Sequence, residues 1–326
     1  MTRTITYAQA LNEAIAEEME RDERVFLMGE DVGAFGGIFG VSTGLFDRFG
    51  PKRVIDTPIS ETFIVGGGVG AAITGMRPIV ELQFADFLYN AADEIISKMG
   101  KWRYMHGGLF TVPMVLRMPE GAIGGAGPEH SQCPEAMLLA ASGLYIAIPS
   151  TPADAKGMLK SAIRNDNPVC FFEHKALYSM KGEVPDGDVT IPLGQADIKR
   201  SGNDVTVIAW GRMVHVALEA ATLADVDGIS VEVVDPRGLR PLDTETILGS
   251  VRKTGRVLIT HEAGKTGGAS AEVAAIIAEE ALADLEAPIR RVCGIDTPVP
   301  QSSHLEPFVT PTPAELHIAI KELVAM

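Results

Sequence analysis

Residues 57–68 read TPISETFIVGGG and set one carboxylate, Glu61, between a Pro-Ile-Ser turn and a run of apolar residues and glycines. A surface glutamate would have polar neighbours, whereas this context predicts a buried one. A buried carboxylate is costly unless something pairs with it, so Glu61 is a candidate for holding a ligand. A second candidate is His130, which ends a loop of mostly glycine, alanine and proline within MPEGAIGGAGPEHSQCPEA (118–136). Imidazole gives or takes a proton near neutrality, and mobile loops of small residues carry function more often than cores do. Cys133 stands nearby, but nothing else in the sequence supports a thiol nucleophile, and it reads as a residue beside a helix start. His106, His174, His215, His261, His304 and His317 fall at strand ends, in helices or in loops, and no HExxH, GxSxG or P-loop pattern is present. Phe84, Phe87 and Tyr89 could stack on a ligand, although aromatics at this spacing are more often core. Gly66, Gly68 and Ala71 fit a loose GxGxxA. The dinucleotide fingerprint requires a buried strand directly before it, and DTPISE is not one. These glycines are read instead as close helix packing at a subunit interface.

The elements that must position these residues follow from periodicity. Thr6 caps a helix with an apolar face of Tyr7, Leu11, Ala14, Ile15 and Met19, and Val25–Met28 forms a buried strand. Residues 66–75 are helical, 77–81 a strand, and 86–105 a long amphipathic helix. Strands at 112–118, 144–149 and 169–173 flank a helix at 152–165. Residues 179–202, rich in glycine, proline and charge, read as an inter-domain connection. Beyond them, strands at 205–210, 229–235, 256–261 and 288–293 alternate with helices at 213–226, 243–252, 268–284 and 311–324. This pattern predicts an α/β fold of mostly parallel sheets flanked by helices, in two domains.

The chain has 326 residues, more than one core usually holds. A formal charge of −15 argues against nucleic acid and against an anionic membrane surface as partners. Cys133, Cys170 and Cys293 are few, odd in number and widely spaced, which points to reduced thiols and a cytoplasmic location. The first residues lack the apolar core of a signal peptide, and no stretch is long enough to span a membrane.

Taken in order, LMGEDVG (27–33), RVIDTPISE (53–61), RPIVELQFADF (77–87), KWRYMHGG (101–108), GPEHSQCPEA (127–136), IPSTPADAKGMLKSAIRNDNPV (148–169) and VDPRGLRPLDTETI (234–247) are specific in combination. They resemble the beta subunits of thiamine-diphosphate-dependent 2-oxo acid dehydrogenases over essentially the whole chain. Segment 173–193 is most similar to the pyruvate and acetoin dehydrogenase members. The resemblance implies a transketolase-like build: a pyrimidine-binding domain at 1–185, a linker at 186–202 and a C-terminal domain at 203–326. It implies an alpha subunit in an α2β2 heterotetramer and docking to a lipoyl acyltransferase core. The alpha subunit would bind the diphosphate and its magnesium through a Gly-Asp-Gly…Asn-Asn pattern. That pattern is absent here, since Gly187-Asp188 is followed by valine. This chain is therefore expected to hold half an active site.

On that resemblance, the ligand of Glu61 is the coenzyme. The family's TPISE glutamate hydrogen-bonds N1′ of the aminopyrimidine and favours the imino tautomer that deprotonates the thiazolium. Phe87 matches the aromatic packed on the pyrimidine, Gln83 a nearby polar contact, and His130 the histidine facing the substrate and the incoming lipoyl group. Met114, Ala162, Ile163, Asn165 and Asn167 fall at the positions of a structural potassium site, with Asn165 where aspartate is common. The resemblance implies decarboxylation of a 2-oxo acid, pyruvate first, or cleavage of acetoin, with reductive acylation of a lipoyl domain. The alternatives are a split transketolase moving ketol units between sugars, disfavoured by the scarcity of basic residues in 118–136, and an interaction subunit without catalysis, disfavoured by Glu61 and His130.

Overall fold

The computed structural model describes residues 2–326. Two compact units are formed, one from residues up to 120 together with 137–193, the other from 121–136 together with 194–326. In chain order the first stretch holds β1 (Thr2–Thr6), α1 (Tyr7–Arg21), β2 (Val25–Gly29), α2 (Leu45–Phe49), β3 (Val54–Asp56), α3 (Glu61–Ile73), β4 (Arg77–Glu81), α4 (Trp102–Met105), β5 (Val115–Glu120), α5 (Glu135–Leu139), β6 (Tyr145–Ala147), α6 (Pro152–Arg164), β7 (Val169–His174) and β8 (Lys181–Pro185).

In the first unit, strands run parallel in the order β6-β7-β5-β4-β2-β3. Successive residues of a strand point to opposite faces, and β4 shows the consequence. Ile79 joins the core built with Leu11, Ile15 and Met19 of α1 and Met158, Leu159 and Ala162 of α6. Val80 points the other way, under Gly68 of α3, where an added Cβ would lie 2.6 Å from Val80 Cγ2. Thr6 closes a full capping box with Gln9 at the start of α1. Lys156 and Lys160 of α6 reach Glu17 of α1, both at 2.6 Å, and lock the two helices side by side.

The second unit contains β9 (Asp197–Arg200), β10 (Val205–Ala209), α7 (Arg212–Val226), β11 (Val231–Asp235), β12 (Gly238–Arg240), α8 (Thr244–Thr254), β13 (Val257–Gly264), α9 (Ala269–Glu280), β14 (Arg290–Gly294) and α10 (Pro313–Val324). Its five-stranded sheet is ordered β14-β13-β10-β11-β9, parallel except for β9. Val205 and Val207 face a core with α7 and α10, whereas Thr206 between them donates to Ser250 O of α8 on the other face.

Two expectations change. The long helix over 86–105 is instead a 3-10 turn (Ala85–Ala91), a π-helical stretch (Glu94–Met99) and the short α4. At Gly100, between the π-helical stretch and α4, even a Cβ would come within 2.8 Å of Ser142 O, so only glycine lets the backbone pack against the chain before β6. Residues 179–202 are not simply a connection, because β8 pairs with β1 and β9 with β11. Glycine, proline and charge there mark the turns between two edge strands, and edge strands tolerate that composition.

Candidate active site

In open α/β sheets, ligands lie outside the carboxyl ends of the strands. In the first unit those ends carry Glu30-Asp31 after β2, Asp56 on β3, Gln83 after β4, Glu120 on β5 and His174 on β7. Glu61 arrives from β3 through the Thr57–Ser60 turn. Thr57 N donates to Gly29 O at 2.9 Å, and Gly33 N donates to Asp56 Oδ1 at 2.6 Å, so the turn is tied to the loop after β2. Glu61 is the first residue of α3, where the helix dipole favours a carboxylate.

Glu61 is half-buried, not buried as its sequence context suggested. The reason lies in the helix it opens: Ile64 and Val65 turn inward, while Thr62 and Phe63 face outward, Phe63 being 57% exposed. The carboxylate has no lysine or arginine partner among the described residues. Its one hydrogen bond is a long contact from Asn90 Nδ2 at 3.4 Å. Asn90 also accepts from Thr62 Oγ1 through its backbone oxygen at 2.7 Å, which fastens the start of α3 to the turn that carries Phe87. Acidic neighbours add to the local charge: burial, then Asp31 and Glu61, hold the Glu30 carboxyl above its usual range.

Gln83 and Phe87 are half-buried in the segment following β4. Phe87 meets Phe84 edge-on at 5.5 Å, Phe84 meets Phe39 at 5.7 Å, and Lys175 Nζ lies 5.3 Å from the Phe84 ring centre. Below them is an ionic network that sequence reading missed. Arg117 on β5 is fully buried and makes a bidentate pair with Glu173 of β7, both bonds 2.7 Å, and a third bond to Glu81 of β4. Tyr178 donates to the same Glu173 at 2.8 Å. Burial keeps the Glu81 carboxyl above its usual range, with Arg117 opposing and Glu173 adding to the shift. The ends of three neighbouring strands are thus pinned together two residues before Gln83. The available signal was one arginine inside the apolar run VLRM.

Glu61, Gln83 and Phe87 belong to the first unit and His130 to the second. His130 is half-buried, and its backbone N donates to Gly127 O at 3.3 Å. Glu135, closing that loop, pairs with buried His261 of β13. The charge of Glu135 holds the imidazole above its ordinary pKa although burial works against it.

The potassium positions are already engaged. Arg77 Nε donates to Ile163 O at 2.9 Å and its Nη2 to Asn165 O at 2.6 Å. Met114 O accepts from Val169 N, and Ala162 O from Asn165 N. Asn167 Oδ1 accepts from Arg103. Arg77, itself paired with Asp166 at 2.9 Å, thus takes one lone pair on each of two of these carbonyls, and nothing below depends on a potassium ion there.

Comparison with known proteins gives the class first. The transketolase pyrimidine-binding domain matches residues 3–181, and the transketolase C-terminal domain matches 194–316. A solved structure titled split gene transketolase, inactive beta4 tetramer, superposes with a TM-score of 0.80 over 98% of each chain at 24% identity. The fold is therefore transketolase-like. The chain is 49% identical to the 2-oxoisovalerate dehydrogenase subunit beta of Bacillus subtilis over 98% of both chains. It is 45% identical to the acetoin:2,6-dichlorophenolindophenol oxidoreductase subunit beta of the same organism, over 99% of this chain and 98% of that one. It is 43% identical to the mitochondrial pyruvate dehydrogenase E1 component subunit beta-2 of Oryza sativa subsp. japonica, over 95% and 83%. This chain belongs to the family of 2-oxo acid and acetoin dehydrogenase beta subunits.

Proposed function

We propose that this chain is the half of a thiamine-diphosphate-dependent dehydrogenase that activates the coenzyme's pyrimidine, and that an alpha subunit completes the site in an α2β2 heterotetramer. The observation that supports it is Glu61, a half-buried carboxylate at a helix start whose one partner among the described residues is a 3.4 Å contact. That carboxylate has acceptor capacity to spare and suits a ring nitrogen of an aminopyrimidine. When bound, thiamine diphosphate supplies a carbon nucleophile and an electron sink for the departing carboxylate. Glu61 accepts the hydrogen bond at the pyrimidine nitrogen and holds a proton there. Phe87 offers a ring face, and Gln83 a polar contact. His130 donates to a developing oxyanion and hands a proton to the sulfur that leaves a lipoyl disulfide. The alpha subunit supplies the diphosphate and magnesium ligands.

The substrate is a short 2-oxo acid, pyruvate or 2-oxoisovalerate, or else acetoin, and the product is an acylated lipoyl domain. Three relatives carrying those three names support this range. A cytoplasmic location is supported by the three free thiols, and no helix among the described residues is long and apolar enough to cross a membrane.

The test is reconstitution with the alpha subunit, thiamine diphosphate and magnesium, measuring reduction of an artificial acceptor with each of the three substrates. Turnover is expected with at least one, and only when both chains are present. Turnover by this chain alone, or activity confined to ketol transfer between sugar phosphates, would overturn the proposal.

A further inference from the structure

The loop that carries His130 is held at both ends and in its middle by carboxylates of the second unit. Gly121 N donates to Gln132 O at 3.1 Å and closes the base. Ala122 N donates to Glu262 Oε1 at 2.6 Å, while the other oxygen of Glu262 accepts from Arg212 Nη1 at 3.1 Å. Glu135, paired with His261, fixes the far end. The middle is held by Glu306: Gly124 N lies 2.8 and 3.0 Å from its two oxygens, and Gly125 N lies 2.8 Å from Oε2.

Glu306 differs from the other two acids. It is 8% exposed, and no lysine, arginine or histidine pairs with it among the described residues. Its charge is met by two successive backbone N–H groups, the concave arrangement that a run of left-handed glycines makes available. Gly124 has φ +88°, Gly125 +112° and Gly127 +80°. These values favour glycine, and Gly125 has no room for a side chain, because a Cβ would meet Gln301 O at 2.9 Å. A flexible glycine loop would by itself sample many conformations, and ordering it carries an entropy cost. Charge-assisted bonds from a buried acid offset that cost better than neutral ones do. The acid comes from a distant part of the chain, 182 residues from Gly124.

We infer that Glu306 is a positioning residue for the His130 step: by clamping the amides of Gly124 and Gly125 it fixes the loop from which His130 serves lipoyl transfer. This rests on the function proposed above. The clamp accounts for the spacing of the segment: glycines five and six residues before the histidine donate their amides to the carboxylate, and the residues after them lead to the imidazole.

The test uses the reconstituted complex with Glu306→Ala, His130→Ala and the double variant. Hydrogen exchange of the peptide spanning 121–134 should quicken at least roughly tenfold in Glu306→Ala while the rest of the chain is unchanged, because the amides lose their acceptor. Unchanged exchange there overturns the clamp, and does so whether or not the complex is active on any substrate. At saturating coenzyme, Glu306→Ala should lower lipoyl transfer about 10- to 100-fold, the scale on which small misplacements act, with a much smaller effect on artificial-acceptor reduction. The double variant should be no worse than His130→Ala, since one residue acts through the other. Multiplying losses, or equal losses in both assays with a lower melting temperature, would make Glu306 a merely structural residue and overturn the inference.

Discussion

Glu61→Gln in the reconstituted enzyme is expected to cost on the order of 10²-fold or more in turnover while leaving the fold intact. The amide keeps the shape of the carboxylate but is a far weaker proton acceptor, so the hydrogen bond at the pyrimidine nitrogen no longer draws a proton there. Stability should hardly change, because Glu61 is half-buried and, among the described residues, lacks an ion pair and makes only the long bond from Asn90. Losing the favourable charge at the start of α3 costs well under about 1 kcal/mol. The discriminating experiment compares turnover at saturating coenzyme with the melting temperature of the same preparation. Near-normal turnover in a well-folded variant would remove Glu61 from the chemistry.

Arg117→Met should show the reverse pattern, a large loss of stability from a residue that touches no substrate. The guanidinium is fully buried between Glu173 and Glu81, and its removal strands two carboxylates in the interior. Breaking such a pair from one side costs about 3–5 kcal/mol, whereas replacing every charged member by neutral groups is often tolerated. The melting temperature should fall by on the order of 10 °C. It should largely recover when Glu81→Gln and Glu173→Gln are added. The exposed Lys98–Asp93 pair, at 2.9 Å, provides the control, and its loss should leave the melting temperature where it was. If Arg117→Met melts like the unaltered chain, the network does not hold the ends of β4, β5 and β7 together.

Some of the residues behind these expectations could be read from sequence and others could not. Alternating apolar segments gave β2, β4, β7, β10 and their helices because each is set by local periodicity. Thr6 marked the start of α1 for the same reason, since its capping partner is three residues away. The turn to Glu61 and the loop to His130 stood out through glycine, proline and one functional group each. Several features were out of reach because they depend on distant parts of the chain. Glu306 sits in an unremarkable HLEPF and matters only through Gly124 and Gly125. Arg77 resembles any strand-edge arginine until the carbonyls of Ile163 and Asn165 are placed on it. The irregular course of 85–105 was likewise out of reach, and the backbone of Ser142 lying against Gly100 becomes visible only in the fold.

The edge-on contact of Trp210 and His261, with ring centres 5.6 Å apart, turns the second unit into its own optical probe. Trp210 is buried, donates to Gly238 O at 3.0 Å, and is the one indole of its unit, the other, Trp102, belonging to the first. A protonated imidazole quenches a neighbouring indole more strongly than a neutral one, and the Glu135 carboxylate raises the His261 pKa although burial opposes it. Separating Glu135 from His261, at the foot of the His130 loop, would remove that upward pull and favour the neutral imidazole, so Trp210 emission should rise. Trp210 emission is therefore expected to report the loop's attachment without a label.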